Sequence, residues 1–166
     1  MLSLDRNLVT VLSSSGEQIS QWRWNNAPAL TCGWSDTEDP VFVLEDGTVL
    51  VYSMFGIFKS TFSMGQEAKD IKILSAKIYP SYHGTGVAVL TTTHRFFVVS
   101  SITEPRLMKF YDCGELSSPH GWCPLHYDRQ SRLMVGRGAD VVMLSDSDMS
   151  VLEVELQSPG HSGKVV

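Results

Sequence analysis

The sequence predicts an all-β protein made of repeated antiparallel units. Short runs of alternating apolar and polar residues are separated by turn residues, and β-branched and aromatic residues dominate the runs. Glu45-Asp46-Gly47 lies between two such runs, where Asp-Gly strongly indicates a β-hairpin. The motif apolar-any-apolar-any-Ser recurs four times, at residues 9–13, 49–53, 96–100 and 141–145.

The spacing of this motif distinguishes between classes of all-β fold. Successive copies lie 40, 47 and 45 residues apart, and four-stranded repeats of this length are typical of the blades of a β-propeller. A short polar turn and another amphipathic strand follow each copy, and longer polar connectors separate the units. A sandwich or barrel with evenly spaced strands is the alternative. The alternation of short turns within units and longer connectors between them favours WD40-like four-stranded blades over a sandwich or barrel.

The elements follow in order as one incomplete blade and three complete ones. The first unit supplies only the last two strands of its blade. Because propellers usually close with four to eight blades, about three and a half blades make a partial propeller. Such a chain is expected to be a piece of a larger protein or to be completed by a partner or another copy. The predicted propeller spans residues 1–156, with a half blade at residues 7–24 and blades at residues 29–63, 71–111 and 119–156.

Two segments do not fit the strand pattern. Residues 66–69 follow Gly65 and could form one turn of helix, although a polar connector between strands explains them equally well. Residues 157–166 contain Ser, Pro and Gly without an apolar pattern, and we predict a flexible tail there.

Composition excludes several classes of function. The chain has 166 residues, 43% of them hydrophobic, which argues against general disorder. Thirteen Lys and Arg against eighteen Asp and Glu give a formal net charge of −5, so we expect no binding to nucleic acid or to anionic membranes. No apolar run approaches the roughly 20 residues of a membrane span. Three cysteines suggest a reducing, cytoplasmic compartment.

One group of residues has the composition of a zinc site. Cys113, His120, Cys123 and His126 could supply two thiolates and two imidazoles. Their spacing contains no Cys-x-x-Cys, and positions 123 and 126 would lie on opposite faces of a strand. We therefore predict no metal and no cofactor, with a zinc-dependent domain as the alternative. No catalytic acid–base pair or nucleophile motif stands out, so we predict a protein that is not an enzyme.

Trp22 and Trp24 are the candidate interface residues. They lie two positions apart, and therefore on one face of a predicted outer strand. Paired exposed aromatic side chains are candidate anchors for a partner protein. Packing in the core between neighbouring blades is the alternative.

Several motifs are distinctive in their order and spacing. They are Gly33-Trp34-Ser35, residues 45–52, Gly56-Ile57-Phe58, residues 62–65, residues 86–91 and Thr93-His94-Arg95-Phe96. In combination they resemble the N-terminal region of the vacuolar protein sorting-associated protein 16 family. The similarity is strongest over residues 21–100 and weaker as far as Leu144.

The resemblance implies a propeller followed by a helical solenoid, in a core subunit of the HOPS and CORVET membrane-tethering complexes. It implies a scaffold in traffic between endosomes and lysosomes or the vacuole, where partners hold the protein at membranes. Other tethering subunits would be its partners, and the helical region absent from this sequence would bind the Sec1/Munc18-like subunit. An independent peptide-binding propeller module is the alternative function.

Overall fold

The computed structural model describes residues 1–110, 121–127, 130–137, 140–145 and 151–154. Within these residues the chain forms four separate antiparallel sheets, and each sheet is a meander in which consecutive strands are hydrogen-bonded neighbours. The described strands carry the β-branched and aromatic residues that the sequence pattern identified.

The first sheet contains β1 (Leu2–Asp5), β2 (Leu8–Leu12) and β3 (Gln18–Arg23), in that order. The sequence predicted two strands in this unit, over residues 7–24, and the structure corrects this to three. β1 has only four residues, and a tight turn in which Arg6 has φ 52° connects it to β2. A run this short gives almost no periodicity, although Leu2 and Leu4 pack against the core below it.

The second sheet contains β4 (Ala29–Trp34), β5 (Pro40–Leu44), β6 (Thr48–Tyr52) and β7 (Phe58–Ser63). The predicted Asp-Gly turn joins β5 to β6. Gly47 has φ 77°, a conformation that favours glycine. The Gly47 amide donates to the carbonyl of Leu44 at 3.1 Å, and Asp46 Oδ1 accepts the Thr48 amide at 2.9 Å. Backbone and side-chain hydrogen bonds therefore stabilise this turn together.

The helix α1 (Gln66–Asp70) connects the second sheet to the third. Of the two alternatives that the sequence left open here, the helix is therefore correct. Ala68 in α1 is fully buried against the core, and this contact stabilises a helix too short to form alone. The third sheet contains β8 (Ile73–Ser81), β9 (Gly84–Thr91), β10 (Phe96–Val99) and β11 (Leu107–Phe110).

The fourth sheet contains β12 (Gly121–Tyr127), β13 (Gln130–Arg137), β14 (Asp140–Ser145) and β15 (Val151–Val154). It packs beside the third sheet through Trp122, whose ring centroid lies 5.3 Å from that of Phe96. The Lys77 ammonium lies 5.5 Å from the centroid of the same indole, a cation–π arrangement. The predicted tail at residues 157–166 lies outside the described residues.

The second sheet is apolar on both faces. Alternate residues of β5 and β6 point to opposite sides, so their valines pack against the third sheet and the residues between them pack against the first. The cluster between the second and third sheets is centred on Val41, Val43, Val49, Val51, Val87, Val89, Phe97 and Val99. The cluster between the first and second sheets is centred on Val9, Trp24, Phe42, Leu44 and Leu50.

We expect Phe42→Ala to lower the free energy of unfolding by about 3–5 kcal/mol, because the truncation leaves a cavity between two sheets. Phe42 is 0% exposed, and its ring centroid lies 4.5 Å from that of Trp24. Urea unfolding followed by tryptophan fluorescence measures the change. Phe55→Ala is the matched control, since Phe55 is 66% exposed and should change stability little. Equal losses for both variants would contradict the assigned core.

Candidate protein-interaction surface

Trp22 and Trp24 both lie between the first and second sheets. Trp24 is 4% exposed, and its indole N–H donates to the carbonyl of Ala27 at 2.8 Å. Trp22 is partly buried and stacks on Tyr52, with ring centroids 6.2 Å apart. Packing between neighbouring sheets therefore describes both rings in this structure. Their role as interface anchors stays a prediction, and contact with Trp24 would require these two sheets to separate.

A group of exposed apolar side chains belongs to the loop after β6 and to the start of β7. Phe55, Ile57 and Phe58 are 66%, 67% and 52% exposed. We name these three residues the apolar patch. Large aromatic and aliphatic side chains exposed together on one loop are typical of protein-interaction surfaces.

The loop that carries the apolar patch is held in place. The Ser53 amide donates to the carbonyl of Ile57 at 2.8 Å, and the Gly56 amide donates to the carbonyl of Ser53 at 2.9 Å. Gly56 has φ 80°, and a Cβ atom added there would lie 2.7 Å from the Trp22 ring. The Ser20 hydroxyl also donates to the carbonyl of Met54. The first sheet thus supports this loop directly.

Tyr52 connects the apolar patch to the core. Its ring centroid lies 5.7 Å from that of Phe58 and 5.9 Å from that of Phe42, which is fully buried. The Tyr52 hydroxyl accepts a hydrogen bond from Asn26 Nδ2 at 2.9 Å. The sequence reasoning missed the apolar patch, although two large apolar residues beside a glycine in a turn were a visible signal.

A groove of about 610 Å³ separates the second and third sheets at the end formed by the β4–β5 loop. Strand β7 and residues 36–39 form one wall, and His83, Gly84 and the segment Ile102–Pro105 form the other. Lys59 Nζ donates to both carboxylate oxygens of Asp39, at 2.7 and 2.6 Å. None of these residues was among the site residues predicted from the sequence.

Asp36 connects the two walls of the groove. Its amide donates to Thr85 Oγ1 at 2.7 Å, and the Thr85 hydroxyl donates to Asp36 Oδ1 at 2.7 Å. Thr85 is 3% exposed, so a buried hydroxyl of the third sheet fixes a carboxylate of the second. Gly84 passes close to this carboxylate, since an added Cβ atom would lie 3.3 Å from both Asp36 oxygens.

The four residues with the composition of a zinc site are only partly covered by the structure. Cys113 and His120 lie outside the described residues. Cys123 and His126 occupy β12, where they pair with Met134 and Ser131 of β13 and are separated by an odd number of positions. Within the described part of the chain, no three His, Cys, Asp or Glu side chains come close enough together to hold a metal ion.

Comparison with known proteins identifies the family. The model of the Vps16 N-terminal region matches residues 4–165. The chain belongs to this family. A Vps16 homologue of Drosophila melanogaster is 35% identical over 141 residues, covering 84% of this chain and 17% of the relative. A homologue of Dictyostelium discoideum is 30% identical over 95 residues, covering 57% of this chain and 11% of the relative.

The match to Vps16 confirms the resemblance found in the motifs, and the chain spans less than a fifth of the length of these curated relatives. Two solved structures share the fold. The Dos1 propeller gives a TM-score of 0.54 at 11% identity, covering 88% of this chain and 41% of that chain. BBS1N, crystallised in complex with ARL6DN, gives 0.61 at 10% identity, covering 90% and 46%. The predicted partial β-propeller is thereby confirmed.

No helix in the described ranges has the length and apolar character needed to cross a membrane. The finding agrees with the absence of a long apolar run in the sequence.

We expect Lys59→Met to lower the free energy of unfolding by about 1–2 kcal/mol, because Asp39 is 9% exposed and would lose its ion-pair partner. The Thr37 hydroxyl, 3.0 Å from Asp39 Oδ2, would still donate a hydrogen bond. Thermal and urea unfolding measure the loss. Lys72→Met, at an exposed lysine, is the control and should change stability by less than about 0.5 kcal/mol. An unchanged midpoint for Lys59→Met would show that the pair contributes nothing.

Burial raises the pKa of the Cys32 thiol in β4 above its ordinary value. At pH 8 a smaller fraction of Cys32 should therefore be thiolate in the folded chain than in the urea-unfolded chain. Iodoacetamide should modify Cys32 more slowly in the folded chain. The folded chain also binds the Cys32 proton more tightly than the unfolded chain does. The resulting contribution to the free energy of unfolding is complete below the unfolded pKa and is lost as pH rises through the folded pKa. Peptide mass spectrometry measures the alkylation rates at Cys32. Equal rates in both states would contradict the prediction.

Proposed function

We propose that this chain is the propeller part of a non-enzymatic scaffold subunit in a membrane-tethering complex of the HOPS and CORVET type. The observation that carries the proposal is the match to the Vps16 N-terminal region over residues 4–165. A subunit of this kind acts in vesicle-mediated protein transport and membrane fusion at late endosomes and the lysosome or vacuole.

The geometry supports a scaffold that works through its surface. The second sheet buries apolar residues on both faces, and its β6–β7 loop is supported by that packed core. The apolar patch on that loop exposes two phenylalanines and an isoleucine, and exposed aromatic side chains are typical anchors of protein contacts. In this proposal the other tethering subunits are the partners, and they hold the protein at the membrane. The Sec1/Munc18-like subunit binds a helical region instead of the propeller.

Affinity purification of the tagged full-length protein from cells tests the proposal. We expect the other tethering subunits and the Sec1/Munc18-like subunit to copurify in stoichiometric amounts. A variant with the propeller deleted should keep the Sec1/Munc18-like subunit, because that contact is assigned to the helical region. A folded full-length protein that recovers none of these subunits would overturn the proposal.

A second variant examines the part played by the apolar patch. Phe55→Ser combined with Ile57→Ser removes exposed apolar surface without touching the buried core. If the patch contacts another tethering subunit, recovery of that subunit should fall at least fivefold. The variant should remain folded, because Phe42 and the other core residues are unchanged. Ile19→Ser, at an exposed residue of β3, is the matched control. Equal recovery with all three proteins would place the contact elsewhere on the chain.

A further inference from the structure

We propose that the groove between the second and third sheets binds an extended, positively charged peptide segment of a partner protein. The inference does not depend on membership in a tethering complex, because it rests on the shape and charge of the groove alone.

The groove is elongated. The cavity of about 610 Å³ continues into a second one of about 440 Å³, and the two share His83 and Thr103 in their linings. Together they form one trough, whose second part is also lined by Ser100, Ser101, Glu104 and Arg106. A trough of this shape fits several residues of extended chain better than a compact small molecule.

One wall of the groove offers main-chain hydrogen bonds. Strand β7 is at the edge of the second sheet in the described topology, and residues 59–62 of it line the groove. Lys59, Ser60 and Thr61 are exposed. An edge strand presents amide and carbonyl groups that an incoming strand can pair with, and extended peptides commonly bind in this way.

The charged side chains that line the trough favour a positively charged ligand. The carboxylates in its lining are those of Asp36, Asp39 and Glu104, and the cations are Lys59 and Arg106. Lys59 is already bound to both oxygens of Asp39. Across the described residues Asp36 has no ion-pair partner, and Glu38 adds another exposed carboxylate in the same loop.

Asp36 is prepared to receive a cation. The Thr85 hydroxyl holds its Oδ1 atom, while no described residue donates to its Oδ2 atom. A carboxylate whose position is already fixed loses little conformational freedom when a lysine or arginine binds. The three carboxylates of the lining outnumber its two cations, which favours a cationic ligand over an anionic one.

The floor of the groove is apolar. Val51, Phe62 and Ile102 line it between the two walls. A peptide that places a lysine or arginine near Asp36 can therefore bury an apolar neighbour against these residues. The expected ligand is an extended segment with a basic residue close to an aliphatic one.

Fluorescence anisotropy with the full-length protein tests the assignment. The probes are fluorescein-labelled nonapeptides with one Lys and one Leu on a Gly-Ser background, in which the spacing between Lys and Leu varies. The matched set carries Glu in place of Lys. We expect at least one Lys peptide to bind at least tenfold more tightly than its Glu counterpart. Equal affinities for the two sets, or no binding by either, would overturn the proposal.

Two charge-neutralising variants locate the site. Asp36→Asn keeps an oxygen that can accept the Thr85 hydrogen bond, and it should weaken binding of the Lys peptide at least fivefold. Asp70→Asn is the control, because Asp70 Oδ1 also accepts one side-chain hydrogen bond, from Gln66 at 2.9 Å, in the separate α1 connection. Unchanged affinity with Asp36→Asn would overturn the assignment.

Glu104→Gln provides a second test that leaves the Asp36 hydrogen bonds intact, and circular dichroism checks that each variant is folded. If Asp36→Asn fails to fold, a two- to fivefold loss with Glu104→Gln supports the proposal and unchanged affinity overturns it. A third measurement uses phosphatidylserine vesicles. If Asp36→Asn strengthens binding to the vesicles and no peptide binds, the surface contacts a membrane and the peptide proposal is overturned. Recovery of the tethering subunits should be independent of Asp36→Asn, so the two proposals can fail separately.

Discussion

The rest of the structure depends on the burial of both faces of the second sheet. A single β-sheet exposes one face to water unless another layer covers it, and β5 is buried at all five of its positions. The first sheet covers the face that carries Phe42, and the third sheet covers the face that carries Val41 and Val43. A sheet with two apolar faces is stable only when neighbouring sheets cover both of them. The sequence repeat supplies those neighbours, because each repeat forms one sheet that packs face to face with the next.

This constraint also explains where the aromatic residues lie. Two twisted sheets packed face to face diverge toward their outer strands, and larger side chains are needed to fill the wider space there. Trp22, Trp24 and Tyr52 occupy that space between the first and second sheets. Between the second and third sheets β7 instead contributes Ser60, the cross-strand partner of Val51, and Lys59, which bonds to Asp39. The first interface is consequently filled, and the second remains open as a groove.

The repeat and the hairpins were predictable because they depend on local patterns, whereas the surface was not. The turn at Asp46-Gly47 and the strands beside it follow from alternation and glycine preference. β1 was missed because four residues carry no readable period, and α1 stayed undecided because burial of Ala68 stabilises it. The Asp36–Thr85 contact joins residues 49 positions apart, which no local pattern encodes. Trp22 and Trp24 were identified as one face of a strand, but exposure depends on the neighbouring sheet.

Strand β7 connects the two surfaces that we propose as binding sites. The apolar patch follows β6 and the groove lies beside β7, so a single strand, Phe58–Ser63, contributes to both. Phe58 packs on Tyr52 toward the first sheet, while Lys59 turns toward Asp39 and the third. Because successive residues of a strand point to opposite faces, the apolar patch and the acidic groove lie on different sides of β7. The two surfaces can therefore bind separate partners, and a substitution at one of them need not disturb the other.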